Sequence, residues 1–273
     1  MKKSLATLVM VSCALGVVAA PAGAQTNAAT PSVQLPVKAK LHLYLFMGQS
    51  NMAGRGKIGP EDKTPHLRVF CFTLEDKWEP AVEPVTRDKP ALLGVGPGLA
   101  FGKAMAENDP GVTIGLVPCA VGGTPLKRWQ RGGDLYSNAV HRARLAMRDG
   151  TLKGILWHQG ESDSGTATNA NSYGDRLAKM IRDIRVDLDS PDVPFVVGQI
   201  GEFLYDRGPG HAPYPRVVNA ALAALPGKVP ATACVPSKDL RHKGDQLHFD
   251  AASQRELGRR YAAEMTRLQA AQR

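Results

Sequence analysis

A serine near the start of the chain and an aspartate–histidine pair near its end have the types and spacing that could do chemistry. Ser50 lies two residues after Gly48, at which the apolar run Leu41–Met47 stops. Asp245 and His248 are three positions apart. On a tight loop, this spacing lets the carboxylate accept a hydrogen bond from the imidazole Nδ1–H and leaves Nε2 free to take a proton. Because a serine hydroxyl that meets such an imidazole is an activated nucleophile, we predict that Ser50 attacks, His248 is the base and Asp245 orients it.

Each of these residues also has an ordinary structural interpretation. Serine often precedes a helix, so Ser50 could serve only as a helix cap. Asp245 and His248 could form a surface pair before a C-terminal helix. Glu161 is a second acidic residue that could orient the histidine, although the spacing of Asp245 favours Asp245. Glu161 would then hold the loop that carries Gln159.

Acyl transfer also needs hydrogen-bond donors where the carbonyl oxygen gains charge. Three groups that follow predicted strands could provide them: the backbone N–H of Ser50, the backbone N–H of Gly123 and the side-chain amide of Gln159. Glycine at position 123 allows the backbone to approach a substrate closely. The structural alternatives are a simple tight turn at Gly122–Gly123 and a polar cap at Gln159.

Alternating strands and helices are the elements that must position these groups. The pattern predicts an α/β fold with a parallel sheet covered on both faces. Because the polar clusters follow the first, third and fourth strands, we expect them at one edge of the sheet. A Pro- and Gly-rich segment over 78–98 is predicted to be a long surface loop, and Asp250 is predicted to cap the last helix. Strands are predicted at 41–47, 68–74, 112–119, 153–157, 194–200 and 232–235, and helices at 98–108, 135–149, 172–189, 215–224 and from 250 to about 269.

The N-terminal segment has the pattern of an export signal. A basic start, an apolar stretch over 5–18 and a small-x-small ending predict a cleaved signal peptide over 1–24. Residues 25–39 have no periodicity and are predicted to be a flexible leader, and 40–273 is predicted to be one catalytic domain. We therefore expect a periplasmic or secreted protein without a membrane span, since the apolar stretch is too short to cross a bilayer.

The charge and the cysteine content of the sequence limit which partners, disulfides and metal sites are expected. The net charge of +9 is scattered, with no basic groove interleaved with aromatic residues, so nucleic acid is not an expected partner. Cys71, Cys119 and Cys234 would remain after processing, which allows at most one intramolecular disulfide. Their spacing does not match a zinc site, and no metal or cofactor is expected. The oligomeric state stays open.

Four motifs occur in order along the chain: GQSNMAG around Ser50, GGT at Gly122–Thr124, WHQGESD at Trp157–Asp163 and DQLHFD at Asp245–Asp250. Together they resemble the SGNH hydrolases and, more narrowly, the sialate O-acetylesterase-like group that includes the acetylxylan esterases of carbohydrate esterase family 6. The resemblance covers residues 41–268. It implies a flavodoxin-like, three-layer α/β/α sandwich with a central parallel sheet.

The resemblance also implies roles for the matching residues. Ser50 corresponds to the nucleophile, His248 to the base and Gly123 to a backbone oxyanion donor, whereas Gln159 stands where the wider superfamily has asparagine. The implied function is an exported serine esterase that removes O-acetyl groups from carbohydrates of the acetylxylan type through an acetyl-enzyme. Sialate acetyl esters, other small acyl esters and a non-catalytic glycan-binding protein are the alternatives.

Two residues near these motifs are candidates for contact with a sugar. Trp129 could stack on a sugar ring, and Arg128 could bind a hydroxyl or carboxylate group. The alternatives are a core aromatic residue and a solvated arginine.

Overall fold

One seven-stranded sheet carries the site in a computed structural model that describes residue 1, residues 34–208 and residues 211–272. The predicted signal peptide after residue 1, and the predicted leader as far as residue 33, lie outside these described residues. The strands are β1 (Leu41–Gly48), β2 (Val69–Phe72), β3 (Trp78–Pro80), β4 (Thr113–Pro118), β5 (Thr151–His158), β6 (Phe195–Gly198) and β7 (Thr232–Val235).

The strand order is β3-β2-β4-β1-β5-β6-β7, and every neighbouring pair is parallel except β2 and β3. All residues of β1 except His42 are buried, as expected for a central strand covered on both faces. β3 lies inside the segment predicted to be a surface loop, so that prediction is wrong at its start. The strand is only three residues long and contains Pro80, and only its pairing with β2 identifies it.

Helices cover both faces of the sheet. Tyr44 and Phe46 of β1 point into one core, and Leu43 and Leu45 into the other. This confirms the predicted three-layer sandwich. The helices are α1 (Ser50–Ala53), α2 (Gly98–Asn108), α3 (Asp134–Ala146), α4 (Ala167–Asn171), α5 (Tyr173–Asp187), α6 (Pro215–Ala224) and α7 (Ala251–Ala270). Helices α2 and α7 pack on the first core, and α3, α5 and α6 on the second.

The topology places the site. β1 lies between β4 and β5, so the chain moves to one side of β1 for β4 and to the other for β5. Such a reversal opens a crevice at the carboxyl ends of the strands, where ligands bind in open α/β sheets. Three of the predicted polar segments follow β1, β4 and β5, and the fourth, Asp245–Asp250, precedes α7. Asp250 is the N-cap of α7, as predicted, and accepts the Ser253 N–H at 2.7 Å.

Two further properties concern only the described part of the chain. No helix there combines the length and the apolar character of a membrane span. Cys71, Cys119 and Cys234 are thiols, and burial raises their pKa values to about 12, 11 and 12.

Candidate active site

The structure brings Ser50, His248 and Asp245 into one chain of hydrogen bonds. Ser50 Oγ lies 3.0 Å from His248 Nε2, and His248 Nδ1 lies 2.7 Å from Asp245 Oδ2. Ser50 and His248 are 198 positions apart in the sequence. The His248 side chain keeps 18% of its surface exposed, so the pair is open to solvent on one side.

The end of β1 sets the position of Ser50. Gly48 has a φ of +134°, and a Cβ there would lie 2.1 Å from the carbonyl oxygen of His158 on β5. Only glycine fits between the two strands at this point. The next residue, Gln49, donates its N–H to the same carbonyl at 2.9 Å, and Ser50 then opens the short helix α1. Ser50 is therefore the first residue of α1 and Gln49 is its N-cap, so the capping alternative is wrong, and the Ser50 hydroxyl is directed to the histidine.

The loop before α7 is built around the Asp245 carboxylate. Its Oδ1 accepts the N–H groups of Leu247 at 2.9 Å and His248 at 2.8 Å, which leaves Oδ2 for the imidazole. Partial burial would raise the pKa of Asp245, but the hydrogen bonds from His248 and Leu247 outweigh burial and lower the pKa to about 2. The carboxylate is therefore ionised at neutral pH.

The imidazole of His248 is held neutral by the balance of its surroundings. Partial burial lowers its pKa below the ordinary value, together with the charges of Lys243 and Arg55, and outweighs the opposite effect of Asp245. Because ionised Asp245 faces Nδ1, the ring proton belongs on Nδ1. Nε2 is then the acceptor that faces the hydroxyl of Ser50.

Asn51 links three loops of the site. Its amide nitrogen donates to Glu161 Oε1 at 2.6 Å and to the Leu247 carbonyl at 3.1 Å, and its oxygen accepts the Phe249 N–H at 3.1 Å. Glu161 therefore supports Asn51, while Asp245 makes the hydrogen bond to the histidine. Burial disfavours the charged form of the Glu161 carboxyl and therefore raises its pKa.

Two predicted oxyanion donors stand at the end of the nucleophile strand and in the turn after β4. Within the described residues, the backbone N–H groups of Ser50 and Gly123 make no hydrogen bond. Gly123 has a φ of +74°, a conformation that favours glycine. The turn lies beside the nucleophile, since a Cβ on Gly122 would lie 3.4 Å from the Cβ of Ser50. Both donors are thus available to a substrate.

The structure does not support Gln159 as the third donor. Its side chain is fully buried, and its amide nitrogen lies 2.7 Å from Asp163 Oδ2, 3.1 Å from the Thr124 carbonyl and 3.3 Å from Gln49 Oε1. Both amide hydrogens are therefore engaged inside the protein. The Tyr173 hydroxyl lies near both Gln159 oxygens, at 2.6 Å from its carbonyl and 3.0 Å from Oε1. Gln159 therefore bonds to Thr124, the residue after the Gly122–Gly123 turn, in the interior of the protein and does not face the substrate.

Both predicted sugar-binding residues have partners within the protein. Trp129 is fully buried, packs edge-to-face on Trp157 with ring centroids 5.6 Å apart and donates its indole N–H to Thr124 Oγ1. It is a core residue, so this prediction is wrong. Arg128 pairs with Asp134 on the surface through two hydrogen bonds, as the solvated alternative proposed.

Sequence reasoning missed three residues beside the triad. Arg55 and Asp88 form a buried ion pair at 2.7 Å, and Lys89 donates to the Gly122 carbonyl at 2.9 Å. The only signal for Arg55 is its place directly after the GQSNMAG motif. Nothing in the sequence around Asp88 and Lys89 distinguishes them from loop charges. Within the described residues, no three His, Cys, Asp or Glu side chains are grouped to hold a metal ion.

Comparison with known proteins identifies the family. The family model described as carbohydrate esterase, sialic acid-specific acetylesterase, matches residues 40–267. The chain belongs to this family. Its members are carbohydrate acetylesterases, and the chain is accordingly a carboxylic ester hydrolase that acts on O-acetylated carbohydrate.

Relatives of known sequence or structure agree with the family. A probable carbohydrate esterase of Arabidopsis thaliana is 36% identical over 248 residues, which cover 84% of this chain and 91% of the relative. An X-ray structure of that Arabidopsis protein superposes with a TM-score of 0.75 at 34% identity, over 84% of this chain and 98% of the other. A carbohydrate acetylesterase from Xanthomonas citri shares the fold, with a TM-score of 0.65 at 21% identity over 85% of this chain and 57% of the other.

Proposed function

We propose that the protein hydrolyses O-acetyl esters of acetylxylan-type carbohydrates through an acetyl-enzyme on Ser50. The hydrogen-bond chain from Ser50 through His248 to Asp245, with distances of 3.0 and 2.7 Å, carries this proposal. It supplies a nucleophile, a base and an orienting carboxylate at the sheet edge where ligands bind.

The proposed reaction uses the Ser50–His248–Asp245 hydrogen bonds twice, once to form the acetyl-enzyme and once to hydrolyse it. His248 Nε2 takes the hydroxyl proton as Ser50 Oγ attacks the acetyl carbonyl, and the oxygen of that carbonyl becomes negatively charged. The N–H groups of Ser50 and Gly123 stabilise this charge. His248 then gives the proton to the departing sugar hydroxyl, which leaves an acetyl group on Ser50. Water repeats the sequence, with His248 as its base, and releases acetate.

The substrate class follows from the family, and the finer choice within it is ours. The Arabidopsis relative is named a probable carbohydrate esterase, and the family description names sialic acid. That description favours a sialate acetyl ester as the second candidate on the same site. A non-catalytic glycan-binding role is less well supported, because the nucleophile, the base and the orienting carboxylate are all present and in contact.

Acetate release from a panel of esters tests the proposal. The panel contains p-nitrophenyl acetate, acetylated xylan, O-acetylated sialic acid and esters of longer acyl chains. We expect acetylated xylan to be a good substrate, and Ser50→Ala to lose activity on every ester. The control is Ser137→Ala, since Ser137 is an exposed serine whose hydroxyl, within the part of the chain that the structure describes, bonds only to the Gly133 carbonyl.

Each result separates the candidates. Turnover by Ser50→Ala would exclude Ser50 as the nucleophile. Preference for the sialic acid ester would select the second candidate, and binding of xylan without acetate release would indicate a binding protein.

We also propose that the protein is exported, on the basis of the signal-peptide pattern over 1–24. N-terminal sequencing of the periplasmic and secreted fractions tests this. A protein that starts near residue 25 is the expected result, and an uncleaved protein confined to the cytoplasm would contradict it.

A further inference from the structure

Two neighbouring residues in the loop between β3 and α2 hold the turn after β4 from both sides. Asp88 Oδ2 accepts the Gly122 N–H at 2.8 Å, and Lys89 Nζ donates to the Gly122 carbonyl oxygen at 2.9 Å. Gly122 directly precedes Gly123, whose N–H is an oxyanion donor in the proposed function. The hydrogen bonds therefore act on the two peptide groups that lead to this donor.

The geometry of the peptide group transmits their effect. The carbonyl of Gly122 and the N–H of Gly123 belong to one planar trans peptide and point in opposite directions. When Lys89 fixes that carbonyl, it also fixes the direction of the Gly123 N–H. Asp88 fixes the preceding peptide group, so rotation about either backbone bond of Gly122 breaks one of the two hydrogen bonds.

Asp88 is itself fixed by Arg55. The Arg55 Nη2–Asp88 Oδ2 distance is 2.7 Å, and the two side chains are only 3% and 1% exposed. Arg55 lies five positions after Ser50, so the ion pair joins the nucleophile's loop to the turn. The fit is close, because a Cβ on Gly122 would lie 2.5 Å from Arg55 Nη2.

Asp88 lines a cavity of about 90 Å³, so truncation at this position would enlarge an existing space. The Gly122 N–H would then lose its acceptor, and the turn would be less restrained. Rotation of Gly122 would turn the Gly123 N–H away from the reacting carbonyl.

We propose that Asp88, together with Lys89 and Arg55, is a positioning residue that directs the Gly123 N–H toward the oxyanion. This inference rests on the proposed acyl transfer and adds residues that act through the direction of the Gly123 N–H. It predicts an effect on the chemical step, because the oxyanion exists only after attack on the ester.

Kinetics of Asp88 and Lys89 variants on p-nitrophenyl acetate test the inference. Asp88→Ala should lower kcat about 10- to 100-fold with little change in KM, which is the effect of a lost charge-assisted hydrogen bond expressed in the transition state. Asp88→Asn keeps an acceptor oxygen for the Gly122 N–H and should recover most of the loss. Lys89→Met should lower kcat about twofold to fivefold, because an exposed ammonium group is screened by solvent.

Asp62→Ala provides a matched control. Asp62 is also a buried carboxylate that accepts a glycine N–H, from Gly59 at 2.7 Å, and an arginine, Arg255 at 2.7 Å. Its loss should affect stability in the same way but leave kcat unchanged. Hydrogen exchange of the Gly122 amide supplies a readout that does not depend on activity, and exchange should be faster in Asp88→Ala than in the wild type or Asp62→Ala.

Two results would overturn the inference: wild-type kcat with unchanged Gly122 exchange in Asp88→Ala, or an Asp88→Asn enzyme as slow as Asp88→Ala. If Asp88→Ala does not fold, Lys89→Met decides, since Lys89 is exposed and wild-type kcat there would count against the inference. A wild-type protein that does not cleave the ester would instead refute the proposed function, and Gly122 exchange would still report whether Asp88 holds the turn.

Discussion

Replacement of Asp245 by asparagine tests how the histidine is oriented. Asp245 Oδ1 accepts two backbone N–H groups at 2.9 and 2.8 Å, while Oδ2 faces His248 Nδ1 at 2.7 Å. In Asp245→Asn, the two backbone donors hold the amide oxygen on their side, so the amide NH₂ faces Nδ1. Because NH₂ is a donor, Nδ1 must lose its proton to Nε2, which then cannot accept the proton of Ser50.

The same contacts give the size of the loss. Turning the amide over would restore the productive tautomer but would break two backbone hydrogen bonds, each worth about 1 kcal/mol. A penalty of about 2 kcal/mol leaves roughly one molecule in 30 in the productive arrangement. We therefore expect kcat/KM to fall at least about 30-fold, toward the ~10⁴-fold loss that a wrong histidine tautomer causes in a serine protease.

The assay is kcat/KM for p-nitrophenyl acetate near neutral pH, with thermal unfolding measured in parallel. Asp250→Asn is the matched control, because Asp250 lies in the same segment and accepts the Ser253 N–H at 2.7 Å as the N-cap of α7. Asparagine caps helices as well as aspartate does. The control should keep wild-type activity and stability.

A loss of less than about tenfold in Asp245→Asn, with a normal control, would refute this account of the orienting residue. Glu161→Gln would then test the other carboxylate of the site. Under the arrangement described above, Glu161→Gln alters only the contact with Asn51, at 2.6 Å, and not the histidine tautomer.

Two further predictions concern His248 and Trp129. Burial holds the pKa of His248 below its ordinary value of 6.5, so activity should persist somewhat below pH 6.5. At lower pH it should fall, because the protonated ring can no longer act as a base. A pH profile of kcat/KM measures this, and a rate flat down to about pH 4 would contradict it. Trp129→Phe should leave KM for acetylated xylan unchanged and lower the free energy of unfolding by about 1–3 kcal/mol, because the buried indole loses volume and its bond to Thr124. Urea unfolding measures this loss, and a raised KM at unchanged stability would show that Trp129 contacts the sugar.

Much of the fold could be predicted because the signals are local. The apolar run of β1 and the helical spacing of α6 depend only on residues close in sequence, and α6 and β7 begin and end as predicted. α3 ends at Ala146, three residues before its predicted end. Strand β2 is shorter than predicted, because a strand extends only as far as its pairing with a neighbour, and the sequence does not show that limit.

The errors at the site have a common physical origin. Gln159 follows a strand and is polar, which fits an oxyanion donor, but Asp163 and Thr124 draw its amide into the interior. Trp129 lies near the turn in sequence, yet Trp157 and Thr124 bury it. In both cases the side-chain direction depends on partners that the periodicity of the segment does not reveal.

By itself, the sequence determined the order along the chain of six of the seven strands and of the five longer helices, the turn that carries Ser50 and the three-residue spacing that joins Asp245 to His248. These depend on local backbone preferences and on short covalent distances. Only the tertiary structure decided that Ser50 meets His248 across 198 positions, that Asp245 and not Glu161 faces the imidazole, and that Asp88 and Lys89 hold the Gly122 turn. The reason is that the sheet brings the carboxyl ends of distant strands to one edge, and packing around that edge sets the direction of each side chain.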